Sequence, residues 1–215
     1  MKKALAITGA LLAMSSAAMA KTVDLAENYN GITLSVPAVE LEDKTAEKKI
    51  NKAIYAKIED AKEFVEKHKD MKMELGSSYE ILRDDDKYLS VYLNCSFYPD
   101  RAAHPSHMSY GMVFDKKTGK QLPVSYFVQL PSLSRMKQFV KYGYFELEDV
   151  DGSKLPYKDE IFGLEYISDQ YILDDKDNIR LLYQRYDLGP YAVGNTYINI
   201  DKIYIDRHGK VLPKG

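Results

Sequence analysis

The chain has no tryptophan, one cysteine and, beyond residue 20, no apolar run long enough to cross a bilayer. A single cysteine closes no internal disulfide, so the fold must stand on its hydrophobic core, which 215 residues are enough to supply. A positive surplus is missing as well: 30 Lys and Arg stand against 32 Asp and Glu, a formal net charge of −2. That balance argues against a nucleic-acid partner, which requires a basic face. No G-x-S-x-G nucleophile elbow, no P-loop and no H-E-x-x-H zinc helix occurs. Carboxylates are plentiful, and spacing singles out none of them as a glycosidase pair.

What is present begins with a secretory pattern. Lys2 and Lys3 precede an apolar stretch over 4–17, and Ala18-Met19-Ala20 is a small-residue cleavage site before Lys21. The pattern predicts a signal peptide over 1–20 and a soluble extracytoplasmic product, 21–215, in the periplasm or outside the cell. No cysteine lies at the cleavage site, so a lipid anchor there is not expected. Removing Lys2 and Lys3 from the 30 basic residues leaves 28 against 32 acidic ones, a formal charge of −4 that would attract a cationic partner.

Residues 31–36, GITLSV, read as a strand that Pro37 ends. Residues 43–69 carry Ile50, Ile54, Ile58, Ala61 and Val65 on one helical face, with Asp43 or Thr45 as the cap and Glu63–Lys67 as an i,i+4 pair. Strands are predicted at 77–83, 88–98 and 107–115. A turn lies at 84–87, a proline-containing loop at 98–107 and a hairpin with Gly119 at 113–123. A shorter helix fits 132–142, capped by Ser132 or Ser134, buried through Leu133, Met136, Phe139 and Val140, and stopped by Gly143. Loop sequence follows. The last third reads as β-rich: 162–173, 178–188, 196–200 and 202–213, the last turned by His208-Gly209, with a bulge or corner where the alternation slips between Ile200 and Ile203. The sum is a single α+β domain, a mostly antiparallel sheet with one long N-terminal helix packed on it and a second, shorter helix.

The polar candidates are mostly ordinary. Cys95 shares a strand face with Leu89, Val91, Leu93 and Phe97, so it is expected buried and inert. His104 and His107 flank Pro105 in a loop without a third metal ligand. DDKDN at 174–178 fails the calcium-loop spacing, since Ile179 and Arg180 fall where an acid and a glycine are needed. YDLGPYAVG at 186–194 has strand sequence on both sides, and Pro190 lacks an amide donor. It therefore reads as a stiff corner rather than a phosphate cradle. A plain structural connection remains open there, beside an exposed aromatic loop suited to binding.

The order of ITLSVPAVE, a helix carrying KKINKAI, then AAHPSH, GMVFDKKTGKQLPVSYF and YQRYDLGPYAVG resembles the domain-of-unknown-function 3298 family with its related 4163-type N-terminal region. The resemblance spans nearly all of 21–215 and implies the family's fold and a cell-envelope setting. Related settings are the extracytoplasmic part of a lysozyme-sensing anti-sigma factor and a module joined to peptidoglycan deacetylases. The chain departs from both. It shows no transmembrane or sigma-binding segment and no deacetylase domain, and His104-Pro-Ser-His107 lacks the deacetylases' H-[ST]-x-x-H spacing. The expectation is a non-enzymatic binding protein of the envelope, with a lysozyme-like protein or a peptidoglycan fragment as partner. No cofactor, metal or nucleic acid is expected, and no membrane span after signal cleavage. Tyr186, Gly189, Pro190, Tyr191 and Gly194 form the candidate binding loop, with Tyr191 as the contact. A hydrolase of envelope glycans or peptides with unidentified carboxylates, and a structural accessory protein, are the alternatives.

Overall fold

The computed structural model describes residues 21–158 and 162–208, so the signal peptide expected over 1–20 lies outside the described residues. The chain opens with a hairpin, β1 (Lys21–Tyr29) and β2 (Ile32–Glu40), turned by Asn30 and Gly31, both at positive φ. Asn-Gly is the pair such a two-residue turn favours. The sequence reading missed β1 because its residues are mostly exposed and carry no clean alternation. Pro37 does not end β2; it lies opposite Asp24 within the ladder, in a strand with only one hydrogen-bonded neighbour, where proline is tolerated.

Helix α1 (Lys44–Lys67) follows, capped by the Asp43 carboxylate, which accepts from the Thr45 and Ala46 amides. Its five apolar positions and Ala46 are all buried. They pack on a four-stranded antiparallel meander of β3 (Glu74–Asp84), β4 (Tyr88–Tyr98), β5 (Ser106–Asp115) and β6 (Lys120–Gln121). Leu89, Val91, Leu93, Cys95 and Phe97 of β4 meet Ile50, Ile54 and Ile58 in one cluster. Each of these isoleucines, with no exposed surface, contributes roughly 1.5–3 kcal/mol by burial. Cys95 is buried there, and burial pushes its thiol up to about 12, far from the thiolate that reactivity requires.

The rest of the chain builds a second layer. After α2 (Leu133–Lys141), capped by Ser132, come β7 (Glu146–Glu148), β8 (Tyr171–Leu173), β9 (Ile179–Tyr183), β10 (Thr196–Ile200) and α3 (Lys202–His208). The strands form an antiparallel sheet in the order β7-β10-β9-β8. The architecture is α+β, with its antiparallel strands divided among three sheets. The second sheet covers the face of β4 and β5 turned away from α1. Ser90 Oγ accepts from the Leu173 amide at 3.1 Å, and the Tyr171 hydroxyl donates to the Leu122 carbonyl at 2.8 Å.

Four further local expectations change, the first being that the strand expected over 178–188 ends at Tyr183 and gives way to a turn in which the Asp187 amide bonds the Gln184 carbonyl. Residues 202–208 are helical rather than extended: the Asp201 carboxylate accepts from the Ile203 amide, and the Ile205 amide closes a turn on the Asp201 carbonyl. The slip after Ile200 is therefore a helix start. Of 162–173 only the last three residues pair as a strand. The stretch before them satisfies backbone groups with tyrosine hydroxyls, Leu164 N on Tyr157 and Ser168 N on Tyr183. The expected loop after α2 contains β7, which pairs with β10.

A Cβ on Gly111 of β5 would lie 2.3 Å from the Tyr171 carbonyl oxygen, so the two layers touch backbone to backbone there. Gly111→Ala should lower stability by about 3 kcal/mol, the upper end of the range for overpacking, measured by urea denaturation. An unchanged midpoint would contradict the close approach.

Candidate functional site

Away from α1, β4 and β5 present polar residues at their paired positions: Tyr92 beside Gly111, Asn94 beside Ser109 and Ser96 beside His107. The second sheet brings Gln184, just after β9, and Asn195, just before β10, onto this surface. Gln184 makes a pair of hydrogen bonds with the Ser109 backbone, accepting from its amide at 2.9 Å and donating to its carbonyl at 2.7 Å. Asn195 Nδ2 donates to the Tyr92 hydroxyl at 2.8 Å and to Ser109 Oγ at 2.7 Å. Ser109 Oγ in turn donates to Asn94 Oδ1 at 2.9 Å, and His107 Nδ1 lies 3.3 Å from the same oxygen. The result is a continuous polar seam between the layers.

Two loops close over the end of this seam. The His104 ring stacks on Tyr191 with centroids 3.8 Å apart. The Tyr191 hydroxyl donates to the Pro105 carbonyl at 3.0 Å. From the other side the Arg185 guanidinium lies 4.6 Å from the Tyr191 ring centroid, and its Nη1 donates to the Tyr191 carbonyl at 3.1 Å. Tyr191 is therefore half-buried inside a His–Tyr–Arg stack, not displayed as the sequence suggested. Pro190 is exposed and starts the single 3-10 turn Tyr191–Val193. Gly189 is buried, and Gly194 takes φ +81, ψ −155, a conformation that only glycine adopts readily.

Tyr186 is the displayed ring. It is 55% exposed, its ring centroid lies 5.8 Å from that of Tyr191, and its φ is +72. The conformation follows from the turn around it, in which the Asp187 carboxylate accepts from the Gln184 amide at 2.8 Å and from the Tyr166 hydroxyl at 2.5 Å. So the five residues of the candidate loop stay together, and the structure adds His104, His107, Arg185, Gln184, Asn94, Ser109 and Asn195 to them. Sequence reasoning missed most of these. Their one signal was the polar face of β4, which alternation alone assigns to solvent.

The loop carries both signs of charge: Arg185, and the Asp187 carboxylate engaged by the Gln184 amide and the Tyr166 hydroxyl. Arg185 forms no ion pair with a carboxylate among the described residues. The His107 imidazole is held below its ordinary value, first by burial and then by the Arg185 and His104 charges. His104 stacks on Tyr191, whereas His107 faces Asn94 and its ring lies tilted 6.4 Å from that of Tyr191. Among the described residues no three His, Cys, Asp or Glu side chains group as metal ligands.

No family model and no curated protein sequence matches the chain. Among solved structures, a member of the DUF3298 family from Bacteroides fragilis superposes with a TM-score of 0.60 at 14% identity, over 89% of this chain and 94% of that one. A DUF3298 family protein from Pseudomonas aeruginosa PAO1 gives 0.58 at 13% identity, over 90% and 94%. The chain has the fold of these DUF3298 structures. At such identity the likeness concerns the fold alone.

Because the folded pKa of His107 lies below the ordinary 6.5, its neutral form favours the folded state. That contribution is complete above pH 6.5 and is lost as pH falls from there toward the lower folded value. His107→Gln should flatten the part of the stability–pH curve below 6.5, and NMR titration of wild type should place His107 under 6.5. A value at or above 6.5 would show that the ring is not held neutral.

Proposed function

We propose that the chain is a non-enzymatic binding protein of the cell envelope and that the face formed by Tyr186, Tyr191, His104 and Arg185 contacts a peptidoglycan fragment. The observation that carries this reading is Tyr186, an exposed ring on a backbone at φ +72. Such a conformation costs an L-residue on the order of 1 kcal/mol or more, and glycine would fill it without that cost. A bulky aromatic there gains its place by presenting a stiff apolar face. Beside it, Arg185 and His104 offer donors to a carboxylate. Ring faces flanked by cationic donors suit a glycan strand that carries acidic groups.

A lysozyme-like protein is the second reading. The formal charge of −4 after residue 20 supports it, since a cationic protein would be steered toward this chain. The DUF3298 fold and the sequence resemblance to the lysozyme-sensing domain point the same way. The Asp187 carboxylate beside Tyr186 is already engaged by the Gln184 amide and the Tyr166 hydroxyl, which leaves Arg185 as the charged group open to a ligand, and for that reason the glycan is preferred at this loop. The hydrolase reading would need a carboxyl group pushed upward to act as an acid. Among the described residues the carboxylates that are displaced, Glu27, Asp43, Glu47 and Asp85, all move downward, held ionised by lysine, arginine or backbone donors.

Calorimetric titration with soluble peptidoglycan fragments, then with lysozyme, at low and moderate salt tests the proposal. Binding of fragments is expected, and Tyr186→Gly should weaken it about tenfold, the order expected of a contact hot spot. The same variant should keep or raise folding stability, by up to about 1 kcal/mol. Salt-sensitive binding of lysozyme alone would transfer the role to the second reading. Binding of neither would remove both.

A further inference from the structure

A second concave surface lies between α2 and α3, built from residues that take no part in the loop described above. Its wall is a chain of rings in edge-to-face contact. Phe139 meets Tyr204 at 5.7 Å and Tyr144 at 5.9 Å, and Tyr204 meets Phe145 at 5.2 Å with planes at 90°. Phe145 is sealed beneath, whereas Tyr144 is 66% exposed. The cleft encloses about 540 Å³, within the roughly 300–1,000 Å³ of small-ligand sites.

Three groups that can carry positive charge line it: Arg135 from the first turn of α2, and Arg207 and His208 from the end of α3. The Arg135 guanidinium lies 5.4 Å from the Phe139 ring centroid, and the His208 ring stacks on Tyr204 at 4.2 Å. Among the described residues neither arginine forms an ion pair with a carboxylate. The one acid lining the cleft, Asp201, is engaged with the Ile203 amide at the start of α3. An aromatic wall edged by uncompensated guanidinium groups is complementary to a ligand with an apolar body and an anionic head.

We infer that this cleft binds a small amphipathic anion, an aromatic or alkyl group bearing a carboxylate or phosphate. The apolar part lies against Phe139, Tyr144 and Tyr204, and the head between Arg135 and Arg207. The inference is independent of the envelope reading, because the two surfaces share no residue.

The test uses the purified chain with 1-anilinonaphthalene-8-sulfonate, a fluorescent aromatic anion, as probe. Saturable one-to-one enhancement is expected. Arg135→Gln and Arg207→Gln should each weaken it about tenfold while leaving the melting temperature unchanged. Dodecanoate or dodecyl phosphate should displace the probe and dodecanol should not; which of the two competes better assigns the head group. Three results would overturn the inference: no saturable enhancement, enhancement indifferent to both arginine substitutions, or equal displacement by dodecanol.

Discussion

The two layers are held together where the backbone of β8 lies against β5 at Gly111. No side chain separates the strands at that point, so the Leu173 amide comes within reach of Ser90, which gives a buried donor its partner. Tyr171 then reaches across to Leu122. Once β8 is fixed, its ladder with β9 and that of β9 with β10 are fixed too. Gln184 and Asn195, at the two strand ends, are thereby set opposite Ser109.

A second tie holds the far end of the same contact. Arg83, on β3 and nearly buried, pairs with Asp85 in its own layer and with Asp177 in the β8–β9 turn, both at 2.5 Å. Asp177 sits at positive φ in a turn organised by the Asp174 carboxylate. Within the run at 174–177, Asp177 thus ties the two layers. Losing both carboxylates would leave the nearly buried Arg83 charge uncompensated, which costs far more than an exposed ion pair is worth.

The polar seam and the aromatic stack follow from this registration. The loop before β5 and the loop before β10 are 86 residues apart, yet the Tyr191 hydroxyl bonds the Pro105 carbonyl. Within the seam, Asn195 Oδ1 and Thr196 Oγ1 are buried without a partner among the described groups. Polar atoms left unpaired between two layers mark the seam as the place where packing was not optimised for stability alone.

Some of this was legible in the chain by itself. Helix α1 was readable because its apolar residues recur at one helical period and its cap is local. The faces of β4 were readable for the same reason, and with them the burial of Cys95, since alternation needs no partner to be seen. Other features depend on neighbours. Residues 162–170 and 202–208 contain β-favouring residues, but tyrosine hydroxyls from elsewhere occupy the backbone of the first, and the Asp201 cap turns the second into α3. Tyr191 looked exposed because Pro190 stiffens its turn; whether a ring on a stiff turn meets water depends on what stands opposite, and His104 and Arg185 stand there. Local periodicity and capping are written in consecutive residues. Which polar face is covered, and which tyrosine is displayed, was decided only when the two layers met at Gly111.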